Sequence, residues 1–118
     1  MYTIVLDTNF LITALKFRID IFDDIGKICD FDYELAVLDK SLDELKRKPN
    51  EKLIRALIKN KKVKIIKTNT KDYVDDILAS LKGDYIIATQ DMELRKRLKG
   101  KPIILIRQKK YLEIKNVL

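Results

Sequence analysis

An α/β fold with a mainly parallel sheet of five strands is predicted by two features of the sequence. Short apolar runs alternate with helical patterns, and two of those runs carry almost no polar residue. The runs are "YTIVL" (2–6), "YELAVL" (33–38), "VKIIK" (63–67), "DYIIAT" (84–89) and "PIILI" (102–106). The first and fourth are the least polar, as expected of strands covered on both faces. With 118 residues, one domain spanning 1–118 is expected, large enough to bury a core without disulfides or a structural metal.

The elements follow in order. After the first strand, residues 9–29 read as two helices broken near Phe17 to Asp20, and residues 40–59 as two more divided by Pro49 and Asn50. A proline cannot continue the helix before it, which places the division there. A helix over 71–82 has Thr70 as a candidate cap and Gly83 as a candidate stop, and a last helix covers 91–99. Residues 111–114 read as either a short extra strand or a tail. No repeat, low-complexity tract or linker interrupts the pattern.

Composition narrows the chemistry. There is no histidine and one cysteine, Cys29, so triads with a histidine base, imidazole-ligated zinc, CxxC zinc sites and internal disulfides are all excluded. The chain opens on a strand-like run without a charged leader, and no apolar stretch approaches the ~18 residues of a spanning helix. A soluble cytoplasmic protein with no membrane partner is expected. The formal net charge is +7, with Lys and Arg gathered in "KRK" (46–48), "KNKKVK" (59–64), "RKRLKGK" (95–101) and "RQKK" (107–110). Such stripes suit a polyanion, or form a solvated lysine-rich surface.

Four acidic residues stand out by position. In an open α/β sheet, ligands bind outside the carboxyl ends of the strands where strand order reverses. Asp7 ends the first strand and Asp91 follows the fourth, so the two open onto one crevice if those strands are neighbours. Glu44 lies on the short helix after the second strand, at the edge of a face set by Leu42 and Leu45. In "DYVDDIL", the apolar stripe Val74, Ile77, Leu78 and Leu81 is flanked by Asp75, while Asp76 and Asp72 project almost opposite. Asp75 is therefore the inward candidate and Asp76 its alternative.

Each also has an ordinary explanation. Asp7 suits an Asx turn or a helix cap, Asp91 a cap, Glu44 a capping box with Ser41, and Asp75 and Asp76 a helix dipole. Asp84, at the other end of the sheet, reads as a turn residue. What favours a site is that all four candidates fall at one end of one sheet. Clustered carboxylates repel, a divalent cation neutralises them, and all-oxygen ligation points to Mg²⁺ or Mn²⁺.

The phrases "IVLDTNFLI", "SLDEL", "VDDIL" and "DYIIATQDMELRKRLK", in that order over nearly the whole chain, resemble the PIN-domain nucleases. The likeness is to the archaeal and eukaryotic branch linked with ribosomal RNA processing; VapC-type toxins are related. The resemblance implies a three-layer α/β/α sandwich and cleavage of RNA dependent on one or two Mg²⁺ or Mn²⁺ ions, leaving 5′-phosphate and 3′-hydroxyl ends. By motif the ligands fall on Asp7 and Asp91, with Glu44 and Asp75 binding directly or through water, and Asn9 and Thr89 match polar positions that orient them. The "VDDIL" segment lies closer to "ATQD" than the family pattern leads one to expect, so Asp76 stays as the alternative to Asp75.

Arg95, Lys96 and Arg97, following Asp91, and Arg107, Lys109 and Lys110, following the last strand, are the expected phosphate contacts. Tyr73, Tyr85 and Tyr111 have the chemistry to stack on bases, but packing is the expected role of each. Competing roles are a toxin ribonuclease held by an antitoxin, and a catalytically weak scaffold binding RNA or ribosome-assembly factors. The resemblance also allows a homodimer. Phosphatases that form an aspartyl-phosphate require an Asp where this chain has Asn9. Receiver domains require a phosphoacceptor Asp after the third strand, where the chain reads "VKIIKTNT".

Overall fold

The computed structural model describes residues 1–117. The elements are β1 (Tyr2–Leu6), α1 (Thr8–Lys16), α2 (Ile21–Ile28), β2 (Tyr33–Leu38), α3 (Asp39–Glu44), α4 (Glu51–Asn60), β3 (Lys64–Ile66), α5 (Val74–Ser80), β4 (Tyr85–Ala88), α6 (Met92–Arg97), β5 (Ile103–Arg107) and β6 (Tyr111–Lys115). They form one sheet of order β3-β2-β1-β4-β5-β6. Every pairing is parallel except that of β5 with β6. The chain runs outward from β1 to β2 and β3, then returns to β4 on the other side of β1. The strand order therefore reverses between β1 and β4, and the carboxyl ends of strands at such a reversal are where open α/β sheets bind ligands.

Successive strand residues point to opposite faces, and the core divides accordingly. Ile4, Leu6, Ile86, Ala88, Ile104 and Ile106 pack on one face against Phe10 and Ala14 of α1, Ile25 of α2 and Ile54 of α4. Val5, Ile87, Ile103 and Leu105 pack on the other against Ile77 and Leu78 of α5 and Leu94 of α6. The result is the three-layer α/β/α sandwich. No helix among the described residues is long and apolar enough to cross a membrane.

The sheet has six strands rather than five. The added strand, β6, pairs antiparallel with β5 from Ile103↔Lys115 to Arg107↔Tyr111. Its turn is made by Gln108 (φ 52°) and Lys109 (φ 57°), neither the glycine nor the asparagine that usually marks a left-handed turn. The helix after β3 also starts later than expected, at Val74. The Thr70 hydroxyl does not cap it and instead accepts the amide of Asp72 (3.2 Å).

One side chain completes the sheet where its backbone ladder ends. Beyond β4 the chain must leave the sheet to start α6, and the Gln90 amide takes over pairing with β5. Its Oε1 accepts the Ile106 N–H (2.6 Å) and its Nε2 donates to the Ile106 carbonyl (3.3 Å). The main chain of residues 90 and 91 is thereby released to turn while β5 stays satisfied. Gln90→Ala would orphan both groups of a buried residue, so it should cost about 1–3 kcal/mol. The expected result is a lower urea midpoint with an unchanged m-value, and an unchanged midpoint would refute the role.

Candidate metal centre

The crevice between β1 and β4 is built around two residues. Asp7 is held by its main chain: its N–H donates to the Ala88 carbonyl (2.9 Å), and its carbonyl accepts the N–H of Leu11 (3.2 Å). Its side chain is 5% exposed and does not cap α1. Instead Oδ2 accepts from the hydroxyl of Thr89 (2.8 Å). That hydroxyl, 0% exposed, also accepts the N–H of Asp91 (3.1 Å). Since the hydroxyl has one proton to donate, accepting from Asp91 and donating to Asp7 ties the two strand ends together.

Asp91 does cap its helix: Oδ1 accepts the N–H groups of Glu93 (2.9 Å) and Leu94 (3.2 Å). The other oxygen has no hydrogen-bond partner among the described residues, so capping leaves it available. Glu44 is the last residue of α3 and is solvent-facing. Because α3 begins at Asp39, Ser41 lies within the helix and is buried, so the two form no capping box. Ser41 contributes its carbonyl instead, accepting from the Thr8 hydroxyl (3.0 Å) and tying α1 to the helix that carries Glu44.

Asp75 and Asp76 are separated by their partners. Asp76 forms an ion pair with Arg97 (2.8 Å), while Asp75 is half-buried and lies within electrostatic reach of Asp91. Asn9 is exposed, and its side chain makes no hydrogen bond to the four carboxylates. Among the described residues, no three acidic side chains converge closely enough to hold one ion as they stand. They nonetheless act on one another. Burial, and then the charges of Asp75 and Asp91, raise the Asp7 pKa against the lowering effect of the Thr89 hydrogen bond. Burial and then Asp7 and Asp75 raise that of Glu44; burial and then Asp91 raise that of Asp75.

An all-oxygen, mutually repelling donor set of this kind fits a hard divalent cation, which would neutralise the charge and draw the carboxylates inward. The surrounding cations are partly committed. Arg97 pairs with Asp76, Arg107 with Glu113 (3.3 Å) and Lys96 with Glu93 (3.3 Å). Arg95, Lys96 and Lys99 line one concavity of about 300 Å³ with Met92 and Ile103. Lys109 and Lys110 stand exposed on the β5–β6 turn, at the crevice end of β5.

Sequence reasoning missed a second set of contacts. The Asp39 carboxylate accepts the hydroxyl (2.6 Å) and the N–H (3.1 Å) of Thr68, and the Thr68 hydroxyl holds its pKa below the usual range. Next to it, Lys40 Nζ donates to the carbonyls of Thr70 and Asp72. The start of α3 thus straps the segment leading to Asp75. "LDK" at the end of an apolar run is the only signal in sequence, and its partners lie about 30 residues away.

The raised carboxylates set a pH dependence. A folded pKa above the unfolded value means that the folded state binds more protons in that window, so stability falls as pH rises through it. For Asp7 the window opens at the ordinary value of 3.8 and closes at the raised folded pKa. At pH 7 without metal, Asp7→Asn keeps an acceptor for Thr89 but removes the charge, and should raise the Tm by a few degrees. That gain should shrink as pH is lowered towards 4. Calorimetric melts of both proteins across this range check it, and a lower Tm for the variant at pH 7 would contradict it.

Comparison with known proteins agrees with this architecture. The family model described as a PIN like domain matches residues 4–109. Ribonuclease VapC4 of Methanocaldococcus jannaschii is 36% identical over an alignment of 128 positions, gaps included, that covers 97% of this chain and 97% of that protein. Among solved structures, that of the PIN domain endonuclease Utp24 superposes with a TM-score of 0.85 at 20% identity, covering 99% of this chain and 93% of that one. The chain belongs to the PIN-domain family.

Proposed function

We propose that this chain, as one PIN-like domain over 1–118, is a Mg²⁺- or Mn²⁺-dependent endoribonuclease that leaves 5′-phosphate and 3′-hydroxyl ends. The observation that carries the reading is the set of carboxylates at the point of strand reversal, with Thr89 linking Asp7 to Asp91. The 36% identity to a protein named a ribonuclease supports it. Asp7 and Asp91 are the principal ligands for one or two ions, and Glu44 and Asp75 complete the set. Asp76 is set aside because Arg97 already holds it. One or two bound ions would neutralise charge on the phosphodiester and acidify the attacking water.

The protein's own part is positional. Thr89 holds the Asp7 carboxylate in one orientation, Asn9 stands exposed at the first turn of α1 to meet solvent or substrate, and the cap at Asp91 fixes that side chain to α6. Hydrolysis adds water across the phosphorus–O3′ bond: the oxygen joins the 5′-phosphate and the 3′-oxygen takes a proton. Arg95, Lys96, Lys109 and Lys110 would bind flanking phosphates in a salt-dependent manner. Arg97 and Arg107 are already paired with Asp76 and Glu113, and Lys96 would have to exchange Glu93 for a phosphate.

On its motifs the enzyme acts in ribosomal RNA processing or RNA maturation. A second reading, a toxin ribonuclease restrained by an antitoxin, is favoured by the identity to VapC4. A small neighbouring gene for a DNA-binding antitoxin would decide for it.

Calorimetric titration with Mn²⁺ and Mg²⁺, paired with cleavage of a structured RNA, tests the shared claim. Wild type should bind metal and cut, Asp7→Asn should do neither, and Thr89→Val should lose about 10–100-fold in metal affinity. If wild type binds no metal at millimolar concentration and cuts nothing, the enzymatic reading fails and an RNA-binding assembly scaffold takes its place.

A further inference from the structure

We propose that Tyr73 is a stacking platform for an unpaired base of the RNA strand at the acidic crevice, an inference that rests on the ribonuclease reading. Tyr73 is 82% exposed as a residue, against 44% for Tyr111, which overturns the expectation that it packs. A single exposed apolar group is ordinary on a protein surface. What sets this one apart is its support.

Tyr73 immediately precedes α5 in an extended conformation (φ −70°, ψ 154°), two residues before Asp75. Val74, on its other side, is buried in the layer beneath the sheet. On the approach, Lys40 Nζ donates to the carbonyls of Thr70 and Asp72 (2.6 Å for Asp72). One step further back, Thr68 is held twice by Asp39. The backbone is therefore anchored on both sides of a ring that itself touches little. Fixing the support before binding lowers the ordering cost that a stacking contact must overcome.

Position and charge identify the ligand. The strap joins the start of α3, the helix that ends on Glu44, to the segment that enters the helix of Asp75, so Tyr73 lies on a held segment two residues before one of the four carboxylates. Lys67 and Lys71 are exposed on the same segment and suit the phosphates on either side of a base. Aromatic faces accept any unpaired base, while a duplex keeps its bases stacked on one another. The platform accordingly selects single-stranded RNA without reading its sequence.

The test is binding of a short single-stranded RNA carrying 2-aminopurine, at low salt with EDTA present so that no cut is made, and of a duplex of the same length. Tyr73→Ala should weaken single-strand binding by about 5- to 150-fold and abolish the quenching of 2-aminopurine. Tyr73→Phe should keep both, and duplex affinity should be unmoved by either change. Single-strand affinity and quenching that survive Tyr73→Ala would overturn the proposal, leaving Tyr73 as a contact for a protein partner. Cleavage by wild type, measured separately with metal, distinguishes the two failures. If it cuts while Tyr73→Ala binds like wild type, only the platform falls, whereas if it neither binds nor cuts, the ribonuclease reading falls with it.

Discussion

The hydroxyl of Thr89 is the contact on which the site depends. It donates to Asp7 and accepts from the main chain of Asp91, and so fixes the spacing of two acidic residues that sit 84 positions apart in the numbering, at the ends of adjacent parallel strands. The bond is made with both the Thr89 hydroxyl and the Asp7 carboxylate buried, where a hydrogen bond to a charged group is stronger than a neutral one. Without it, Asp7 would be a buried carboxylate with no hydroxyl partner, beside other negative charges.

Topology supplies the rest. Each of the four carboxylates comes from the connection after a different parallel strand: Asp7 after β1, Glu44 on α3 after β2, Asp75 on α5 after β3 and Asp91 after β4. Parallel strands deliver all those connections to one end of the sheet, and the reversal between β1 and β4 leaves room there. The cost is electrostatic, since burial and mutual repulsion raise the pKa values of Asp7, Glu44 and Asp75. The two apolar layers that sandwich the sheet hold the cluster in place against that repulsion.

Much of this is legible in the sequence because it depends on local pattern. The five apolar runs correspond to β1 to β5, Pro49 and Asn50 separate α3 from α4, and the wheel position of Asp75 matches its half-buried place on α5. What is not legible depends on contacts across the chain or on uncommon backbone. The turn into β6 uses Gln108 and Lys109 in the left-handed region, and nothing in "RQKK" announces it. The strap from Asp39 and Lys40, the pairing of Gln90 with β5 and the tie from Thr8 to Ser41 each join residues at least 16 positions apart. Glu44 shows the converse, a local S-x-x-E pattern that fails because the helix starts two residues before the serine.

Anomalous scattering from a crystal soaked in Mn²⁺ shows whether these four carboxylates form one cation centre. A peak is expected within coordinating distance of both Asp7 and Asp91, with Glu44 and Asp75 turned towards it. A well-ordered crystal with no peak in the crevice, or with Mn²⁺ bound only elsewhere on the surface, would contradict such a centre.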